Sequence, residues 1–144
     1  MRKKTTGFTL IELLVTTSII GIIMSVGLVI YQGGKQKAKD ARRREDLLTI
    51  QKAMEQYFVI EGDYPVGCPV VGTSFSTTDD VLLDATPDDP DSPTKSYTGT
   101  CDPDYYCYSA ELDDDTGNCA GCSCAGDACS FADGTDSFCV KHMQ

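Results

Sequence analysis

Residues 13–34 contain no charged side chain and are rich in Leu, Ile and Val, and a single carboxylate, Glu12, stands directly before them. About 20 apolar residues match a hydrocarbon layer roughly 30 Å thick, so the stretch predicts a membrane-spanning helix. An ionised carboxylate within such a span costs about 2.5–3.5 kcal/mol on insertion scales, so Glu12 requires a cation. Lys35 is out of reach, because a helix from 12 to 35 is about 35 Å long. A cut between Gly7 and Phe8 would create an ammonium group about one helical turn from Glu12. That group, on the same helix or a neighbour's, is the natural partner of the carboxylate. A secretory signal peptide is the rival reading, with Ser25-Val26-Gly27 as its small-x-small site, but Glu12 near the start of the apolar run argues against it.

Charge is segregated along the chain. Residues 1–60 carry ten bases and five acids, whereas residues 61–144 carry two bases and seventeen acids. MRKKTTG is a short basic leader, and residues 35–44 hold six bases: Lys35, Lys37, Lys39, Arg42, Arg43 and Arg44. These six read either as a solvated face or headgroup contact, or as a dock for the acidic half of a neighbouring subunit. Leu47, Ile50, Met54, Tyr57 and Phe58 then recur at helical spacing and form one apolar face. No proline precedes Pro65, so one helix over residues 9–60 is expected, ending at Glu61-Gly62-Asp63-Tyr64-Pro65 with Gly62 as a left-handed cap.

These residues carry a resemblance. Arg2-Lys3-Lys4, Gly7 and then Phe8-Thr9-Leu10-Ile11-Glu12-Leu13-Leu14-Val15 closely resemble the processing signature of type IV pilins and type II secretion pseudopilins. The resemblance implies cleavage after Gly7 by a prepilin peptidase, N-methylation of Phe8, and a role for Glu12 in guiding subunit addition. It also implies an inner-membrane assembly platform, other pilins or pseudopilins, and further copies of the chain as partners, with membrane lipid around the helix before assembly. Val29 stands where many members have a kink-forming proline, and Gly21, Gly27, Gly33 and Gly34 can supply flexibility instead. Thr17, Gly21 and Ser25 form a small-xxx-small ladder that would allow close helix approach.

The acidic half has 11 Leu, Ile, Val or Phe among its 84 residues, too few to order it alone. Its order is expected from cysteine: Cys68, Cys101, Cys107, Cys119, Cys122, Cys124, Cys129 and Cys139. Cys119, Cys122, Cys124 and Cys129 read C-x2-C-x-C-x4-C, and four thiolates can hold zinc. The even count and a location outside the cytoplasm favour disulfides, whose connectivity spacing alone does not choose. Asp88, Asp89 and Asp91, and separately Asp113, Asp114 and Asp115, invite calcium, which the secretion branch of the resembled family binds in its head. No EF-hand spacing occurs, and a solvated acidic surface with no cofactor is the expected arrangement. Strands are expected over residues 95–100, 105–112 and 136–141, with a turn at 101–104 and loops up to Pro93 and over 113–135.

The expected architecture is α+β and pilin-like: leader 1–7, hydrophobic transmembrane and polymerisation helix 8–34, amphipathic continuation 35–61, and acidic cysteine-rich head 62–144 with a small antiparallel sheet. The leader side is expected in the cytoplasm and the head in a periplasmic or extracellular filament. An acidic head repels phosphate, which excludes direct nucleic-acid binding by it. His142 is the only histidine and is the third residue from the end, and no base is positioned to activate a nucleophile, so no enzyme is expected. The resemblance implies a type IV pilus subunit for adhesion, motility or DNA uptake. The alternatives are a pseudopilin of a secretion piston and a membrane-anchored binding module that never polymerises.

Overall fold

A computed structural model describes residues 7–114, 116–125 and 128–142, without the side chains of residues 29, 124, 125, 128 and 129. Of the predicted leader only Gly7 is described. Asp115 and the side chains of Cys124 and Cys129 also lie outside the described residues.

The chain opens with helix α1, Leu10–Glu61, which runs through Gly33 and Gly34. It stops at Gly62, whose φ of 93° a residue with a Cβ rarely adopts, and the Gly62 amide donates to Phe58 O at 2.9 Å. Among the described residues seven strands follow: β1 (Phe75–Ser76), β2 (Val81–Leu83), β3 (Thr98–Asp102), β4 (Tyr105–Glu111), β5 (Cys122–Ala125), β6 (Ala128–Phe131) and β7 (Ser137–Lys141). They make an antiparallel three-stranded sheet, β3-β4-β7, and two hairpins, β1-β2 and β5-β6. The fold is the expected α+β arrangement of one long helix, small antiparallel sheets and disulfides.

By its internal contacts the chain divides into residues 1–35 and 36–144. In the second unit, Leu47, Ile50, Ala53 and Met54 of α1 are at most 2% exposed. They pack against Tyr106, Tyr108 and Ala110 of β4, Val140 of β7, Tyr64 and Phe75. Alternation along β4 turns Tyr106, Tyr108 and Ala110 to the helix and Cys107 and Ser109 to the opposite face. Tyr57 stacks on Phe75 with centroids 5.3 Å apart, which seats the β1-β2 hairpin.

The strand expectations need two corrections. The strand expected over 95–100 begins at Thr98, because the amides of Thr94 and Lys95 turn back to Asp91 O. It then extends through Cys101 and Asp102, leaving Pro103 and Asp104 as the reversal. The stretches read as loops, up to Pro93 and over 113–135, contain hairpins β1-β2 and β5-β6, whose strands of two to four residues are too short to show alternation.

Candidate functional site: the exposed helix and the charged clamp

The start of α1 is set by Thr9. Its amide and Oγ1 donate to Glu12 Oε2 at 3.0 and 2.8 Å, and the Glu12 amide donates to Thr9 Oγ1 at 3.3 Å. This is a capping box, Thr-x-x-Glu, with the carboxylate also at the positive end of the helix dipole. Glu12 is thereby given hydrogen-bond donors within its own chain, whereas the sequence reading sought only a cation for it. The Thr-x-x-Glu spacing that signals the box is plain in residues 9–12.

From Leu10 to Tyr31 the described large apolar side chains are 48% exposed at the least, at Val15, and 81% at the most, at Leu10. An 18-residue window of the helix has a mean hydropathy of 2.5, and the helix is long enough and apolar enough to cross a membrane by length and composition. Its polar groups are turned inward on the helix backbone. Thr17 Oγ1 donates to Leu13 O and Leu14 O at 3.0 Å, Ser18 Oγ to Leu14 O at 2.7 Å, and Ser25 Oγ to Ile22 O at 2.8 Å. Hydroxyls satisfied this way tolerate an apolar medium. Thr17, Gly21 and Ser25 are exposed, and a Cβ at Gly21 would meet nothing within 4 Å.

In the second unit the apolar stripe of α1 continues toward the amino terminus as Arg43 and Asp40, both buried. Arg43 is 0% exposed, and its guanidinium is surrounded by four aspartates. Nη1 lies 2.6 Å from Asp40 Oδ1 and 3.0 Å from Asp113 Oδ2. Nε lies 2.9 Å from Asp89 Oδ2, and Nη2 lies 2.7 Å from Asp91 Oδ2. Burial works against the charge of Arg43, but its hydrogen bonds with Asp89, Asp113 and Asp40 outweigh that and hold its pKa above the ordinary range. Asp40 also accepts the amides of Asp113 and Asp114, at 2.9 and 3.2 Å. Lys39 pairs with Asp91, and Lys95 with Asp113 at 2.8 Å and Glu111 at 3.1 Å. The Lys39 hydrogen bond holds Asp91 below the usual carboxylate range, and the Lys95 hydrogen bond does the same for Asp113.

The basic segment therefore has a use that neither sequence reading anticipates. Lys39, Arg43 and Arg44 bind acids of their own head, Arg44 through Asp114 at 3.8 Å and Thr116 O at 3.0 Å. Arg42 is paired only at 3.7 Å, with Asp46. Four of the six acids considered for calcium are drawn into the same clamp: Asp89, Asp91 and Asp113 converge on Arg43, and Asp114 reaches Arg44, while Asp88 accepts the Asp89 amide and Asp115 lies outside the described residues. Among the described residues, no three or more His, Cys, Asp or Glu side chains are arranged to hold a metal ion.

Among the described residues, two disulfides pin the head. Cys68–Cys101 joins the segment after the helix to β3, and Cys119–Cys139 joins the 113–121 loop to β7. Closing loops of 33 and 20 residues is worth about 3–4 kcal/mol each in the chain-entropy model. The second bond takes Cys119 out of the four-thiolate zinc set, because a disulfide sulfur is no longer a thiolate ligand. Cys107 of β4 is buried and Cys122 of β5 half-buried, and burial together with the nearby Cys122 raises the Cys107 thiol's pKa.

A family model described as the prokaryotic N-terminal methylation motif matches residues 2–28. The chain is similar to type II secretion system core protein G of Aeromonas hydrophila, 30% identical over 64 residues that make up 44% of this chain and 45% of that protein. It is similar to the protein of the same name from Vibrio cholerae, 33% identical over 63 residues, 44% of this chain and 43% of that one. The Escherichia coli K12 protein of that name is 32% identical over 62 residues, 43% of each. The chain thus matches less than half the length of these relatives. No solved structure matches it.

Proposed function

We propose that this chain, a type IV pilin-like or pseudopilin subunit by its methylation motif and its relatives, is the structural subunit of a filament. In this reading a prepilin peptidase cuts after Gly7 and Phe8 is N-methylated. The mature helix waits in the cytoplasmic membrane with its amino terminus on the cytoplasmic side. An assembly platform then lifts it into a helical array of identical or related subunits, and the head stands in the periplasm or outside the cell. The proposed role is structural, with no catalytic step and no cofactor.

One observation carries the proposal: the described aliphatic side chains of residues 10–31 are exposed on a helix whose hydroxyls and carboxylate are satisfied locally. Lipid can solvate such a surface. Once out of the bilayer it must be reburied, at about 1.5–3 kcal/mol per aliphatic side chain, and identical helices offer the matching surface. Thr17, Gly21 and Ser25 would be the points of closest approach. Glu12 would set register, since a slipped subunit leaves a buried carboxylate without its partner ammonium, at about 3–5 kcal/mol.

A second reading, a pseudopilin of a type II secretion piston, is supported by the three relatives, each named a type II secretion system core protein G. Two measurements test the proposal. Mass spectrometry of the mature amino terminus, in cells with the peptidase, should find N-methylated Phe8; retention of residues 1–7 would overturn the reading. Negative-stain microscopy of fibres sheared from cells at native expression should show this chain in a pilus. Loss of protein export on deletion of the gene, with no surface fibres, would select the secretion piston instead.

A further inference from the structure

β4 is buried on both faces. Tyr106, Tyr108 and Ala110 face α1, so burial on that side follows from the core. Cys107 and Ser109 face the other way and are still only 0% and 8% exposed. Both hairpin strands β5 and β6 contact β4, and β5 also contacts β3, so the β5-β6 hairpin covers that outer face. Within the described residues its ladder links to the main sheet are slight: an isolated bridge pairs Cys119 with Ser137, just before β5. At the point of cover stand the buried Cys107 and the half-buried Cys122, close enough for Cys122 to act on the Cys107 thiol. Cys122 also lines a cavity of about 430 Å³ shared with Ser109 and Glu111, so one of the two sulfurs is approached from solvent and the other is not.

We propose that Cys107 and Cys122 form a third disulfide of the head, which fastens the β5-β6 hairpin to the outer face of the β3-β4-β7 sheet. The proposal rests on the head lying outside the cytoplasm, as in the filament reading. The oxidant is a protein disulfide donor of the thiol–disulfide exchange class. Cys122 reacts first, because it is the more accessible sulfur, while burial together with the hydrogen bond and charge of Cys122 pushes the Cys107 thiol up to about 12. The Cys122 thiolate, its proton released to water, attacks the donor disulfide; one donor sulfur leaves as a thiolate and a mixed disulfide remains. Cys107 loses its proton, attacks the Cys122 sulfur and expels the second donor thiolate. The two cysteines lose two protons and two electrons, and the donor disulfide becomes a dithiol. Of eight cysteines this leaves Cys124 and Cys129, which the β5-β6 register sets opposite each other.

The test uses full-length chain from the cell envelope, alkylated at lysis without reduction and cleaved on the amino side of aspartate. Asp102 and Asp104 separate Cys107 from Cys101, and Asp113 to Asp115 separate it from Cys119, Cys122 and Cys124. The fragment holding Cys107 should travel linked to the one holding Cys122 and part from it on reduction, with fragment-ion mass spectrometry placing the bond on Cys122. In Cys122→Ser, Cys107 should take up one alkyl group after unfolding, while Cys68–Cys101 and Cys119–Cys139 stay closed. Alkylated Cys107 and Cys122 beside closed Cys68–Cys101 would overturn the proposal and leave the compartment reading standing, as would a bond from Cys107 to Cys124 or Cys129. Alkylation of all eight cysteines would overturn both.

Discussion

Arg43 Nε on α1 and Asp89 Oδ2 on the loop before β3 lie 2.9 Å apart, with side chains 0% and 1% exposed. A full ion pair thus occupies a position that the helical spacing of Leu47, Ile50 and Met54 allots to hydrocarbon. Three more aspartates share the guanidinium, whose planar fork can meet several carboxylates at once, as a lysine ammonium cannot. Removing the cation would leave Asp40 and Asp89 buried without a counter-charge. Arg43→Met should therefore destabilise the head by about 3–5 kcal/mol. Urea unfolding of the full chain in detergent, followed by near-ultraviolet circular dichroism, reads this directly, and a loss below about 1 kcal/mol would show that the clamp is not a stabilising centre.

The same clamp gives a signed dependence on pH. Asp91 is held below the usual carboxylate range first by Lys39, and Asp113 first by Lys95. A depressed folded pKa contributes stability that is present above the unfolded value and is lost as pH falls through the folded one. Unfolding midpoints should therefore drop below about pH 4, where free aspartate is half protonated. Asp46 works the other way, because burial raises its pKa despite the 2.7 Å hydrogen bond from Tyr97. Its protonation favours the folded state as pH falls toward 4, so Asp46→Asn should flatten any rise there and leave the acid-side loss intact.

Calcium should do nothing to the head. A site saturated at 100 times its dissociation constant would add about 2.7 kcal/mol, which for a chain of this size means a rise of several degrees, at about 2–4 °C per kcal/mol. Asp89, Asp91 and Asp113 already spend their oxygens on Arg43, Lys39 and Lys95. Thermal midpoints measured with millimolar calcium and with a chelator should coincide. A rise of several degrees with calcium would place the ion among these carboxylates.

The apolar half of this arrangement is legible in the sequence and the charged half is not. Leu47, Ile50 and Met54 declare a buried face by their spacing, and Gly62 followed by Pro65 declares its end. Asp40 and Arg43 lie on that same face, but apolar periodicity passes over polar residues. Their partners Asp89 and Asp113 are also 46 and 70 residues from Arg43, a pairing that local pattern does not carry. The hairpins β1-β2 and β5-β6 escape for a different reason: each is held by a tertiary contact, Tyr57 on Phe75 in one case and cover of β4 in the other, rather than by strand propensity. The Thr9–Glu12 box is local and could be read from four residues.

That box also separates two roles that one carboxylate can play in assembly. Glu12 accepts two hydrogen bonds from Thr9, so part of its effect is to start α1 cleanly, while its charge is the part a neighbour's amino terminus would recognise. Glu12→Ala removes both and should leave membrane insertion intact, because the apolar run is unchanged, while filaments are lost or disordered. Glu12→Gln keeps an acceptor for Thr9 and removes only the charge. If charge sets register, Glu12→Gln should fail to assemble as Glu12→Ala does, with both variants still inserted, cleaved after Gly7 and recovered from membranes in normal amount. Sheared-fibre yield, scored by immunoblot and negative-stain microscopy, reads the outcome. Normal fibres from Glu12→Gln beside absent fibres from Glu12→Ala would reduce Glu12 to a helix cap, and normal fibres from both would remove it from assembly.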